Sequence, residues 1–207
     1  MHHLDVDPEN PTRTAAAAEL RRLVHTFVGR DAGDDTLTEI ERLAGELADR
    51  LAQAPPREKS PDMMKRFTVP VDDHGDLTCW QDCVVAGAGH PYGTGFRGRR
   101  EGDEAVAWVT LGPGHEGAPG RSHGGIIAAL FDEAMGFALW MEGIPAYTAW
   151  LKTTYVAAAP IGVELEFRAR VASREGRKIV LEGTAHAGDT EIGRGEALFI
   201  AIPAEQL

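Results

Sequence analysis

The chain is apolar on nearly every side of a helical repeat from Ile126 to Trp140, with Asp132 and Glu133 as the interruptions. A helix apolar all round belongs inside a domain, not on its surface. Beyond it the pattern switches to a period of two. Val163, Leu165, Phe167, Ala169 and Val171 alternate with Glu164, Glu166, Arg168 and Arg170, as in a strand with one buried face. Ile179 to Ala187 and Gly195 to Ile202 also read as strands, with turns at Glu175-Gly176 and Gly188-Asp189. Tyr147 to Ala157 and a segment near Glu104 to Leu111 complete the set. One strand, one buried helix and four further strands predict an α+β fold, a long antiparallel sheet around a central helix.

Residues 1–60 follow a different pattern. Thr14 to Val28 and Thr36 to Gln53 each carry apolar residues at helical spacing, with Leu20, Leu23, Val24 and Phe27 on one stripe and Leu37, Ile40, Leu43, Ala44 and Leu47 on the other. Arg30 to Asp35 reads as the turn between them, and Pro55 to Pro61 as an extended linker. Two short helices bury little alone, so this arm is expected to pack on the main domain, residues 61–207, or to pair between subunits. No catalytic constellation occurs in it.

Asp132 is where pattern and solvation conflict. A carboxylate inside an apolar helix costs free energy unless it is paired, hydrogen-bonded or used. Gly136 one turn on, and Ala128 and Ala129 one turn back, leave space beside it, which suits a substrate channel. At the helix start Ser122 reads as the N-cap, with His123, Gly124 and Gly125 in the first turn. Unpaired N–H groups and the positive end of the helix dipole make a cradle there for an oxygen gaining negative charge. Glycines let another molecule approach that backbone closely. Nine residues of helix separate His123 from Asp132, which puts them ~13 Å apart on opposite faces. Two copies about a two-fold axis would bring one cradle to the other's carboxylate.

These residues resemble the hotdog-fold thioesterase superfamily, in particular its phenylacetate-degradation-type acyl-coenzyme A thioesterases. Glu116-Gly-Ala-Pro-Gly120 leads into Ser122-His-Gly-Gly125 as Glu-Gly-x-Pro-Gly leads into His-Gly-Gly in some members. Thr148, Leu151 and Tyr155 match a Thr-x-x-Leu-x-x-x-Tyr strand after the helix. His90-Pro-Tyr-Gly93 matches an Asn-Pro-x-Gly lead-in, with His90 in place of the asparagine. The resemblance covers about residues 79–202. It implies hydrolysis of an acyl-CoA thioester without a cofactor, at a site shared in a homodimer or a dimer of dimers. It implies Asp132 as general base or nucleophile, Gly124 as oxyanion-hole donor, His123 beside the thioester oxygen, and Thr148 as the residue that positions water. Gly125 and Gly136 are expected to border the substrate. Arg97, Arg99, Arg100 and Lys152 are candidate contacts for the CoA phosphates, against the alternative of an ordinary solvated charged loop.

Charge and composition narrow the field. A net charge of −11 argues against nucleic acid, whose binding needs a basic face. No basic, apolar-cored leader opens the chain and no apolar run is expected to reach membrane-spanning length, which reads as a soluble cytoplasmic protein without a membrane partner. Cys79 and Cys83 lie in a segment that looks extended, which would hold them ~13 Å apart as reduced, buried thiols. The histidines show no metal-ligand spacing with one another or with the cysteines, so no metal site is expected.

Gly120-Arg-Ser122-His-Gly124 also fits the Gly-x-Ser-x-Gly nucleophile elbow. That elbow needs a parallel α/β sheet with an acid and then a histidine on later strand ends; His186 instead falls within a strand pattern. Two further readings share the fold: a non-catalytic acyl-CoA binding protein, and an enoyl-CoA hydratase using a His–Asp pair. A third makes the arm a docking element for another protein.

Overall fold

The computed structural model describes residues 10–59 and 61–206. The chain begins with α1 (Pro11–Gly29) and α2 (Asp34–Ala52). The Asn10 side chain caps α1 by accepting the Arg13 N–H at 3.0 Å, and Pro11 occupies the first turn, where its missing N–H leaves nothing unpaired. A 3-10 helix (Pro61–Thr68) and irregular chain follow, containing β1 (Asp76–Leu77). Next come β2 (Arg97–Glu101), β3 (Glu104–Thr110) and a small ribbon of β4 (Glu116–Ala118) with β5 (Arg121–Ser122). The central helix is α3 (Gly124–Met141). Four long strands close the chain: β6 (Ala146–Tyr155), β7 (Glu164–Glu175), β8 (Lys178–Ala187) and β9 (Thr190–Ala201).

The main sheet has the order β1-β2-β3-β7-β8-β9-β6, antiparallel throughout. Its alternation is as expected: Leu165, Phe167 and Ala169 of β7 point inward, beneath Leu130, Phe131 and Met135 of α3. Gly195 lets the sheet close on that helix. A Cβ there would lie 2.8 Å from both the Phe131 ring and the Met135 methyl, a distance at which the helix would have to shift. This is the α+β arrangement that the resemblance implies, one helix held within an antiparallel sheet.

Two expectations need correction, and the docked face of α1 is a separate finding. At 18 residues and a mean hydropathy of 1.3, α3 is long and apolar enough to cross a membrane; here it packs against β3, β6, β7, β8 and β9 as a core helix. The apolar stripe of α1 is not its packing face: Leu20, Leu23, Val24 and Phe27 remain 44–53% exposed. The docked face is small and polar instead. Ala17 is buried, Arg21 donates to the Ala88 and His90 carbonyls, and His25 Nδ1 accepts the Gly114 N–H. No residue of α2 is buried. Finally, Arg97, Arg99 and Arg100 sit on a strand, not in a charged loop.

Candidate active site

The helix start is built one residue later than the sequence suggests. Ser122 belongs to β5, and His123 is the N-cap of α3, its Nδ1 accepting the Gly125 N–H at 3.0 Å. The reason is local. β4 and β5 pair, Ser122 N–H is held by the Ala159 carbonyl and His123 N–H by the His115 carbonyl, so both backbones stay extended. With Gly125 committed to the His123 ring, the Gly124 N–H takes no acceptor among the described residues. It borders a cavity of ≈ 530 Å³ lined by Gly117, Arg121, Ser122, His123 and Tyr155. The Tyr155 hydroxyl donates to the Gly124 carbonyl at 2.8 Å and so fixes the peptide that carries the cradle. The motif strand contains Tyr155, but its spacing alone gives that hydroxyl no role.

Asp132 lies two and a half turns along the helix, half-buried rather than enclosed. Its partner comes from β6: the Thr148 hydroxyl donates to Asp132 Oδ1 at 2.7 Å. Both residues line a second cavity of ≈ 160 Å³, with Gly136, Phe67, Trp80, Phe137, Trp140 and Phe199 among its walls. From the sequence Trp140 could line an acyl pocket, with core packing the default, and here it is part of this wall. A Cβ on Gly136 would meet nothing within 4 Å, so the glycine opens space one turn from the carboxylate. This cavity shares no lining residue with the one at Gly124. Within one chain the cradle and the acid therefore face different spaces, as the helical spacing requires.

The other candidates have structural tasks. Arg97 pairs with Glu164, Arg99 with Glu101, Arg100 with Glu142 and Lys152 with Glu196. Arg100 also donates to the Val71 and Met141 carbonyls, and none of the four lines either cavity above. Arg121 does line the Gly124 cavity and has no side-chain partner among the described residues. The nucleophile elbow is not formed, because Ser122 sits in an antiparallel ribbon and His186 pairs across β8 to Glu166 and Glu191. His90 Nδ1 accepts the Tyr92 N–H and closes its own turn.

One further cluster lies beside Asp132. Cys79 and Cys83 occupy an irregular turn, not extended chain, and their sulfurs and the Glu133 carboxylate come within 4.8 Å of one another. Burial in the apolar helix, with Cys83 nearby, pushes the Glu133 carboxyl up to about 8. The Cys79 thiol, donating to Cys83, pulls Cys83 down to about 6 and is itself pushed up.

A family model of the thioesterase superfamily matches residues 120–193, the stretch that holds His123, Gly124, Asp132, Thr148 and Tyr155. The crystal structure of a thioesterase superfamily protein, RHA08564, superimposes with a TM-score of 0.78 at 24% identity, over 94% of this chain and 92% of that one. Over residues 120–193 the chain is similar to the thioesterase superfamily, and its fold is shared with the RHA08564 structure. Human acyl-coenzyme A thioesterase THEM5 (Homo sapiens) is 25% identical to the chain over 137 residues, 65% of this chain and 55% of THEM5. Mouse THEM5 (Mus musculus) is 28% identical over 105 residues, 50% of this chain and 42% of its own length. The chain spans about half the length of these curated relatives. In this domain α3 supplies both halves of the candidate site, an open backbone donor at its first residue and a hydroxyl-bonded carboxylate at its midpoint.

Proposed function

We propose that this protein hydrolyses acyl-CoA thioesters to a free acid and CoA. The observation that carries the reading is the Thr148–Asp132 hydrogen bond in a cavity walled largely by aromatic and apolar side chains. A hydroxyl that spends its proton on the carboxylate keeps its lone pairs for a water O–H. Water held there lies beside an acid able to take its second proton, and Asp132 acts as general base. The carbonyl under attack needs a donor for its developing oxyanion. The Gly124 N–H, at a helix N-terminus with a His123 cap, is such a donor. Collapse of the tetrahedral intermediate expels the CoA thiolate, a leaving group stable enough near neutral pH to need little proton assistance.

Because the two cavities are separate in one chain, the reading requires a homodimer, or a dimer of dimers, in which Gly124 of one subunit serves Asp132 of another. The ≈ 160 Å³ beside Asp132 is below the usual range for a drug-sized ligand, so the acyl group is either short or completed by the facing subunit. Arg121, next to Gly124 and without a side-chain partner among the described residues, would contact a CoA phosphate. A panel of acyl-CoA esters of varied length and aromaticity, read with a thiol-detecting dye, tests the proposal. Thiol release that disappears in Asp132→Ala supports it. Tight acyl-CoA binding without release makes the protein a binding module, and loss of enoyl absorbance without thiol release makes it a hydratase.

A further inference from the structure

Glu133 is the neighbour of Asp132 on α3 and points about 100° away around the helix, toward the segment of residues 79–93. There its hydrogen-bond partner among the described residues is a cysteine sulfur. Cys83, 5% exposed, places its Sγ 3.4 and 3.5 Å from the two carboxylate oxygens, and Cys79 completes the group. Among the described residues no amide, guanidinium or ammonium group reaches this carboxylate. Thiols are weak donors, and a carboxyl removed from water with so little support is costly unless it carries a proton or faces a cation.

The geometry points to a zinc-class divalent cation bound by Cys79, Cys83 and Glu133. Zinc holds thiolate sulfur at about 2.3 Å and carboxylate oxygen at about 2.1 Å in a tetrahedron, which sets S···O edges of roughly 3.5 Å and S···S edges of roughly 3.8 Å. The Cys83–Glu133 separations match the first value, and all three ligand atoms fall within 4.8 Å of one another. Cys-x-x-x-Cys lies inside the spacing usual for paired zinc cysteines, and two sulfurs with one carboxylate favour zinc over magnesium or calcium. The histidine and cysteine spacing does not reveal this site, because its third ligand is an acid fifty residues away, on the helix.

The cation ties an irregular segment to the rigid helix. That segment includes Trp80, a wall of the Asp132 cavity, and Gln81 and Asp82, which hold α1. Cys79 and Glu133 line the same cavity, so its water would fill the fourth position. The role is structural, setting the cavity wall, and hydrolysis needs no step at the metal.

The test uses full-length protein, reduced, stripped with a chelator and titrated anaerobically with Co²⁺. One cobalt per chain should bind with a thiolate charge-transfer band and tetrahedral d–d bands, and Zn²⁺ should displace it. Cys79→Ser and Cys83→Ser should lose most of the charge transfer. Glu133→Gln should keep that transfer but bind at least about tenfold more weakly. Should Cys83→Ser fail to fold, Cys79→Ser and Glu133→Gln decide, together with Zn²⁺ protection of both wild-type thiols from a thiol-reactive dye. No cobalt band in the reduced wild type, a band that survives Cys79→Ser at full strength, or unchanged affinity in Glu133→Gln would overturn the site. So would a mass loss of two hydrogens in air with no metal uptake after reduction, which marks a disulfide-forming pair instead.

Discussion

Thr148 on β6 donates its hydroxyl proton to Asp132 on α3 at 2.7 Å, a bond between residues sixteen apart that joins the sheet edge to the central helix. Thr148 engages one carboxylate oxygen and leaves the second without a hydrogen-bond partner among the described residues. Asp132→Ala should therefore fold normally and lower kcat by a factor on the order of 10² or more. Thr148→Ala should cost less, since water keeps one of its two anchors, and Thr148→Ser should recover most of the loss. Steady-state kinetics beside thermal melts check this. Near wild-type turnover in Asp132→Ala removes it from the mechanism.

Separate cavities for Gly124 and Asp132 predict complementation between chains. An Asp132→Ala chain and an inactive His123→Ala chain, refolded together, should give about half mixed dimers with one intact site each. Activity should return to roughly a quarter of wild type. Mixed dimers verified by two tags yet showing no recovery would exclude a shared site.

Gly136 lines the Asp132 cavity with open space where a side chain would point. Gly136→Ala should gain up to about 1 kcal/mol of helix stability, raising Tm by about 2–4 °C. Gly136→Leu should lower kcat/KM on the order of tenfold for the larger acyl groups and leave the smallest ester little affected. An equal loss across the ester panel would place the acyl group elsewhere.

Docking of α1 should weaken in acid. His25 is held below its ordinary value of 6.5 by burial and then by Arg21, and His115 by burial and then by His25. Both favour the neutral form in the folded chain, so the unfolded chain binds the extra proton more readily. Their contribution is fully present above pH 6.5 and is lost as pH falls below it through the folded-state values. Protonation also removes the lone pair by which His25 Nδ1 accepts the Gly114 N–H. Protease cleavage within α1 should accelerate between about pH 7 and pH 5, and a His25→Gln, His115→Gln variant should lose most of that dependence.

Which parts of this molecule can be read from its sequence follows from what each residue buries. α3 and β7 declare themselves because one face, or every face, is apolar. β9 begins at Thr190, earlier than the apolar run starting at Gly195, because Gly193 and Gly195 serve the sheet by being small against Phe131. β2 reads Arg-Gly-Arg-Arg-Glu and carries almost no hydropathy signal, although Gly98 is buried against Phe137. The cap moves from Ser122 to His123 because β5 is held by contacts with residues 115 and 159, which local propensity does not contain. Asp132, Gly124 and Thr148 are legible through helical spacing and motif. Tyr155's bond to Gly124 and the meeting of Glu133 with two cysteines depend on distant parts of the chain coming together, and periodicity is silent about them.

Arg21 of α1 grips the Ala88 and His90 carbonyls, in the segment that also supplies Trp80 to the Asp132 cavity. Under the proposed function the arm and a bound acyl group would thus lean on one and the same segment. Any preference of a bound acyl group for that segment in its gripped position is returned, factor for factor, as firmer attachment of the arm. A molecule that drew α1 away would alter acyl affinity without touching the cavity, and the substrate would in turn resist its being drawn away.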